Sequence, residues 1–165
     1  MILTTHIGVF ITNAQASLIG DTVTLAHYFP DASTVYASVS RFVVAGTSDE
    51  WLWDLYRVDP EANHVLLDNF YIGTWDNTDF NVFEIADIDT PITGVTVNTN
   101  LLVGWDSSRI TYGQNYVKLD LRGLVTYADT YLDAQINFTP IPEPASLSLL
   151  GLGLLGILGL KRRKA

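Results

Sequence analysis

The stretch Leu132–Phe138 reads LDAQINF, and its side chains alternate between apolar and polar along the whole segment. Leu132, Ala134 and Ile136 fall on one side of this alternation, and the polar residues between them fall on the other. A repeat of two residues is typical of a β-strand, because successive side chains of a strand point to opposite faces of the sheet. The stretch therefore predicts a strand with one buried and one wet face.

The same alternation recurs along much of the chain. Turn-forming Pro, Asp, Asn and Gly residues separate these segments, and no helical period of useful length appears among them. The pattern predicts an all-β body, a β-sandwich of jelly-roll-like type. The expected strands lie within Val23–Phe29, Val35–Val43, Glu50–Val58, Val65–Ile72, Phe80–Ile88, Val95–Val103, Tyr116–Arg122 and Leu132–Phe138.

The charge of this body is strongly negative. Residues 17–140 contain 17 of the 18 acidic residues and five of the nine basic ones, a net charge of −12, whereas the whole chain has −9. A surface of this sign disfavours nucleic acid as a partner. The chain has no cysteine, which excludes disulfides, thiol catalysis and thiolate metal sites. About 124 residues are enough to build a core without them.

The body contains no signature of a known catalytic motif: GxSxG, HExxH, a P-loop and a dinucleotide-binding glycine pattern are all missing from residues 17–140. We therefore predict that it is not an enzyme and that it needs no cofactor. His27 shares the apolar face of Val23 and Leu25 and is predicted to be a core histidine, and His64 is predicted to lie in a loop. A secreted hydrolase with a polar cleft around either histidine is left open.

Trp51 and Trp53 are separated by one residue, so in a strand they project from the same face. Core packing is the default interpretation of this pair. If the face were exposed, together with Trp75 or Trp105, it would suit stacking against sugar rings. The pair is therefore a candidate carbohydrate platform.

No metal site is predicted, but four acidic residues in or beside loops are weak candidates for calcium, which prefers hard oxygen ligands. Their spacing does not fit an EF-hand. They are Asp76, Asp79, Asp87 and Asp89.

The C-terminus joins three blocks of different chemistry: the tripeptide Pro142-Glu143-Pro144, an uncharged Leu/Gly-rich run over 145–160, and a basic cluster over 161–164. As a helix the run would span roughly 24 Å, against the ~30 Å of a bilayer core. Basic side chains that reach the headgroups make up part of the difference. We predict a single transmembrane helix with the basic cluster in the cytoplasm; the alternative is a buried core helix.

This order of parts resembles the PEP-CTERM sorting domain of exosortase substrates, over about residues 141–165. The resemblance implies export to the periplasm, transient anchoring in the inner membrane, processing by exosortase, and arrival at the cell surface or outside the cell. It also implies that Pro142, Glu143 and Pro144 are a recognition site and that the basic tail stops transfer. The tail residues are Lys161, Arg162, Arg163 and Lys164.

The N-terminus fits this pathway in part. Ala14 and Ala16 form an A-x-A cleavage pattern before Ser17, but residues 1–16 contain no Lys or Arg. We interpret 1–16 as a truncated signal peptide whose true start lies upstream; the alternative is a first strand of the body. The expected domains are then 1–16, the β-sandwich over 17–140, and the sorting signal over 141–165.

These expectations define the function predicted from the sequence. PEP-CTERM carriers are typical of Gram-negative bacteria that make exopolysaccharide or biofilm matrix. The resemblance therefore implies a surface or extracellular-matrix protein with a structural or adhesive role, with exopolysaccharide as a possible partner. The first alternative is a carbohydrate-binding module, and the second is a secreted hydrolase.

Overall fold

The structure, a computed structural model, describes residues 16–46, 54–101 and 103–140, and the backbone of 50–52. Its regular elements in this part of the chain are β-strands and one 3₁₀ turn, Ser107–Arg109. The strands are β1 Thr22–Tyr28, β2 Val35–Phe42, β3 Glu50–Leu52, β4 Tyr56–Pro60, β5 His64–Asp68, β6 Gly73–Thr74, β7 Val82–Ala86, β8 Ile92–Thr99, β9 Ile110–Tyr112, β10 Val117–Asp120, β11 Val125–Thr126 and β12 Leu132–Phe138.

The strands form two larger antiparallel sheets and one short ribbon. The first sheet has the order β2-β1-β7-β10-β9, the second has the order β3-β4-β5-β12-β8, and β11 pairs with β6. The prediction of an all-β body is confirmed. The β3-β4-β5 edge is a meander and not a Greek-key connection, so this part of the strand order does not support the jelly-roll comparison.

One hydrophobic core receives side chains from both larger sheets. Along β12, Leu132, Ala134 and Ile136 are buried while the residues between them are half-buried or exposed, as the alternation predicts. Val23 and Leu25 of β1 lie in the same core. Burial of each Leu, Ile or Val side chain in this core contributes about 1.5–3 kcal/mol to folding. The two sheets are therefore held together by their inward faces.

Several predicted boundaries are wrong, each for a local reason. The expected strand over Glu50–Val58 is divided into β3 and β4, which pair with each other as a hairpin. The expected strand through Val103 ends at Thr99, and Val103 is 84% exposed. The expected strand over Phe80–Ile88 ends before Asp87, whose φ of 62° is incompatible with an extended ladder. The short strands β6, β9 and β11 were not predicted, because two or three residues show no measurable alternation.

No helix in the described ranges is long and apolar enough to cross a membrane. The predicted transmembrane helix at 145–160 lies outside the described residues. The compact unit formed by the strands extends over Ala16–Thr139.

A tight turn at Gly123 lies beside the first residue of the β6–β7 connection, Trp75. The amide of Leu124 donates to the carbonyl of Leu121, and Gly123 has a φ of 66°. A positive φ at the third residue of such a turn is the type II geometry, which favours glycine. The Gly123 amide and the Leu124 carbonyl both bond to the backbone of Trp75, so the turn fixes the position of that tryptophan.

We expect Gly123→Ala to destabilise the protein by roughly 1–2 kcal/mol, because an L side chain is strained in the left-handed region. The added Cβ would meet nothing closer than Asn77 Oδ1 at 3.8 Å, so the cost is conformational. Gly94→Ala in β8 is the control, since the φ of Gly94 is not in that region and its Cβ would make an ordinary 3.4 Å contact with Asn137 Nδ2. Urea unfolding midpoints compare the two; equal midpoints would contradict the turn assignment.

Candidate ligand pocket

A cavity of about 190 Å³ opens where β1 ends and β2 begins, beside the connection between β5 and β7. We call it the Trp75 pocket. Its lining combines four aromatic rings with a small set of polar groups, which is the usual composition of a ligand site. The lining residues are His27, Phe29, Tyr36, Leu55, Tyr71, Thr74, Trp75, Asp76 and Asn81.

His27 is one of two buried polar residues among the described ones that line the pocket, and Asn81 is the other. His27 continues the inward face of Val23 and Leu25, and only 2% of it is exposed. Its Nδ1 lies 2.8 Å from the hydroxyl oxygen of Tyr56. Burial raises the pKa of Tyr56, so the phenol keeps its proton and can donate it to Nδ1. We therefore assign the imidazole proton to Nε2. The prediction of a core histidine is confirmed.

Burial lowers the pKa of His27 to about 4, and the nearby side chain of Asn81 opposes this shift only in part. A buried imidazole loses the hydration that stabilises its cation, so the neutral ring is favoured. At neutral pH this end of the pocket therefore has polar atoms but no charge.

Trp75 forms one wall and is held from behind. Its Nε1 donates to Thr126 Oγ1 at 2.9 Å, and that hydroxyl donates to the carbonyl of Tyr71 at 2.6 Å. The ring centroid lies 5.5 Å from that of His27 and 6.0 Å from that of Phe70. The indole is 7% exposed. The suggestion that Trp75 belongs to an exposed surface platform is therefore wrong, because its N–H and much of its ring are used in the core.

Asn81 lies just before β7 and is 3% exposed. Its Nδ2 donates to the carbonyl of Asp76 at 3.2 Å, which ties it to the loop after Trp75. Its Oδ1 is buried and makes no hydrogen bond of good geometry among the described residues, although it lies near enough to the His27 ring to favour the protonated imidazole. A buried acceptor of this kind costs about 1–3 kcal/mol unless a donor reaches it.

The mouth of the pocket carries two tyrosines, Tyr36 and Tyr71, which are 46% and 63% exposed. Tyr36 is an extra residue in β2. Ala37 pairs with His27 and Val35 with Tyr28, so β2 has one residue more than β1 over this step, which is a β-bulge. The ring of Tyr71 lies against Gly73, where an added Cβ would be 2.8 Å from its Cε1. Both rings are therefore set beside the opening by the backbone.

In the described part of the structure, few of the other predicted site residues lie close to one another. Asp76 lines the pocket, Asp87 Oδ2 accepts the hydroxyl proton of Thr24 at 2.6 Å, and the amide of Asp89 donates to Asp21. Asp79 is exposed. Within the described ranges there is no group of three or more His, Cys, Asp or Glu side chains that could hold a metal ion. Among the described residues, the four calcium candidates therefore do not belong to a cluster of potential metal ligands.

The remaining predicted residues are placed as follows. Trp51 lies in β3 opposite Arg57, but its side chain, like the whole of Trp53, is outside the described residues, so their platform stays a prediction. Trp105 is half-buried against the core. His64 begins β5 and is not a loop residue. Ala16 is buried, whereas Ala14, the motif at 142–144 and the tail at 161–164 lie outside the described residues.

Comparison with known proteins identifies one segment. The family model described as the PEP-CTERM protein-sorting motif matches residues 140–164. No curated protein and no solved structure matches the chain. The match covers the tripeptide, the apolar run and the basic cluster in the order found in the sequence. The chain is therefore a PEP-CTERM domain-containing protein.

Proposed function

We propose that this protein is an exosortase substrate whose β-sandwich body has a structural or adhesive role in an exopolysaccharide matrix. The observation that carries the proposal is the PEP-CTERM match at residues 140–164, which indicates an exported protein that passes the membrane and is a target of exosortase. In this proposal the tripeptide at 142–144 is what exosortase recognises. Proline restricts φ and disfavours a helix, so the sequence favours an extended backbone at 142–144, the form that a protease-like cleft binds.

The body supports a binding role more than a catalytic one. The histidine that lines the Trp75 pocket, His27, is 2% exposed, and burial lowers its pKa to about 4. A general base works best with a pKa near the operating pH, so this imidazole is poorly suited to the task. A hydrolase therefore remains the weakest alternative, and a carbohydrate-binding module remains the first alternative.

The test of the sorting step is mass spectrometry of the protein from a native host with exosortase intact or deleted. We expect a form that ends near 142–144 only when exosortase is present. A chain in which Pro142, Glu143 and Pro144 are all replaced by alanine should keep its basic tail in both strains. Pro91→Ala, at an exposed proline of the body, is the control and should be processed normally.

The matrix role has a separate readout. The processed protein should sediment with the extracellular polysaccharide fraction and leave it when the polymer is digested. An intact tail in both strains would instead indicate a plain membrane anchor and overturn the exosortase step. Processed protein found only in the polymer-free medium would overturn the matrix role.

A further inference from the structure

We propose that the Trp75 pocket binds one neutral sugar ring, and that it is the adhesive site of the body. The inference rests on the proposed function for its setting, but its evidence is the chemistry of the pocket. The described residues that line the pocket are other ones than Trp51 and Trp53, the predicted platform, whose side chains lie outside the described residues.

The size of the cavity limits the ligand. Sites for drug-sized molecules usually have about 300–1,000 Å³, whereas this one has about 190 Å³. The space therefore suits a single ring at the end or on the side of a polymer, and not an enclosed oligosaccharide. The exposed rings of Tyr36 and Tyr71 at the mouth can contact neighbouring parts of such a chain.

The walls offer aromatic surface to a ring that has an apolar side. One side of a pyranose presents C–H groups, which carry small positive partial charges, and the faces of aromatic rings are negative. Phe29, Tyr36, Tyr71 and Trp75 all border the cavity. Large exposed aromatic side chains around an opening are a common mark of a binding site.

A buried polar group of the pocket lacks a well-placed hydrogen-bond donor, which a hydroxyl group of a ligand would supply. Asn81 Oδ1 is a buried acceptor with no hydrogen bond of good geometry among the described residues, and the neighbouring His27 ring holds it only weakly. An O–H group of a ligand would provide a better donor. Thr74 and the exposed carboxylate of Asp76 add further positions for hydroxyl groups. An apolar ligand would leave these groups unsatisfied, which makes a polyhydroxylated ring the better match.

The charges indicate a neutral sugar. Among the described residues that line the pocket there is no Lys or Arg, and Asp76 places a carboxylate there. The 17–140 body has a net charge of −12. A uronic acid would bring its carboxylate to a site with no cationic partner. We therefore expect the pocket to discriminate against acidic sugars.

The test is saturation-transfer NMR and calorimetry on the full chain, purified in a polyoxyethylene detergent that has no sugar headgroup. The probes are the methyl glycosides of glucose, galactose and mannose, with glucuronic acid and choline for comparison. We expect at least one neutral glycoside to bind, and Tyr71→Ala to weaken it roughly tenfold by loss of a ring contact. Tyr127→Ala is the matched control, since Tyr127 is 60% exposed and does not line the pocket.

Four results would overturn the inference: no neutral glycoside binds, glucuronic acid binds as tightly, choline alone binds, or the two tyrosine variants behave alike. Processing by exosortase gives an independent readout, because Tyr71 is remote in sequence from residues 142–144. Normal processing with no sugar binding would reject the pocket and leave the sorting proposal intact. Sugar binding with failed processing would support the pocket and reject the sorting proposal.

Discussion

Replacing Tyr56 with alanine is expected to destabilise the protein by about 3–5 kcal/mol, the usual cost of removing a large buried aromatic side chain. Tyr56 is fully buried at the start of β4. Its ring centroid lies 5.1 Å from that of Phe70, 5.8 Å from Trp75 and 5.9 Å from Phe83. The variant would therefore open a cavity between the sheets and remove the support behind the pocket.

Two further variants distinguish the stability contributed by the Tyr56 ring from that contributed by its hydroxyl group. Tyr56→Phe keeps the ring but leaves His27 Nδ1 without its 2.8 Å partner, so we expect a smaller loss of about 1–3 kcal/mol. Tyr112→Ala is the control: this residue of β9 is 43% exposed, and surface changes usually stay within about 0.5 kcal/mol. Urea denaturation ranks the three. If Tyr56→Ala costs no more than Tyr112→Ala, the assigned core is wrong.

The second large effect is a loss of stability in acid that depends on His27. In the unfolded chain this histidine has its ordinary pKa of 6.5, whereas in the folded protein the pKa is about 4. Between these values the unfolded state binds the extra proton, so acid favours unfolding. As the pH falls from 7 to 4, we expect about 3 kcal/mol of folding free energy to be lost through this group.

The change His27→Gln tests this directly, because glutamine does not titrate. The variant will be less stable at pH 7, but its unfolding free energy should lack the decrease between pH 6.5 and pH 4. Burial raises the pKa of Asp21, which acts in the opposite direction near pH 4 but equally in both proteins. His64→Gln, at the half-buried first residue of β5, should keep the decrease. Equal pH profiles for the wild type and His27→Gln would refute the buried neutral imidazole.

The sequence predicts the inward faces of the long strands well, since burial of an alternating face leaves a direct mark on residue type. Leu132–Phe138 is a strand with the predicted bounds, and His27 is buried as its apolar neighbours indicate. The positions of breaks are harder to predict. The interruption of Glu50–Val58 follows from hairpin pairing, which an alternating pattern does not contain.

The pocket could be predicted only in fragments. His27, Trp75 and Asp76 all attract attention in the sequence, but for separate reasons and in separate roles. Their proximity depends on loops whose course is set by tertiary contacts, such as the bonds between Trp75 and the Gly123 turn. Tyr36 gives no signal of its own, because it follows the ordinary composition of a strand and only the ladder register reveals it as an extra residue.

The bulge at Tyr36 changes the lining of the pocket without changing the pairing of the strands around it. Val35 and Ala37 keep their partners on β1 with Tyr36 left over. One extra residue in an edge strand thus adds an exposed aromatic ring to the lining of the pocket, while the ladder on both sides of it keeps its pairing.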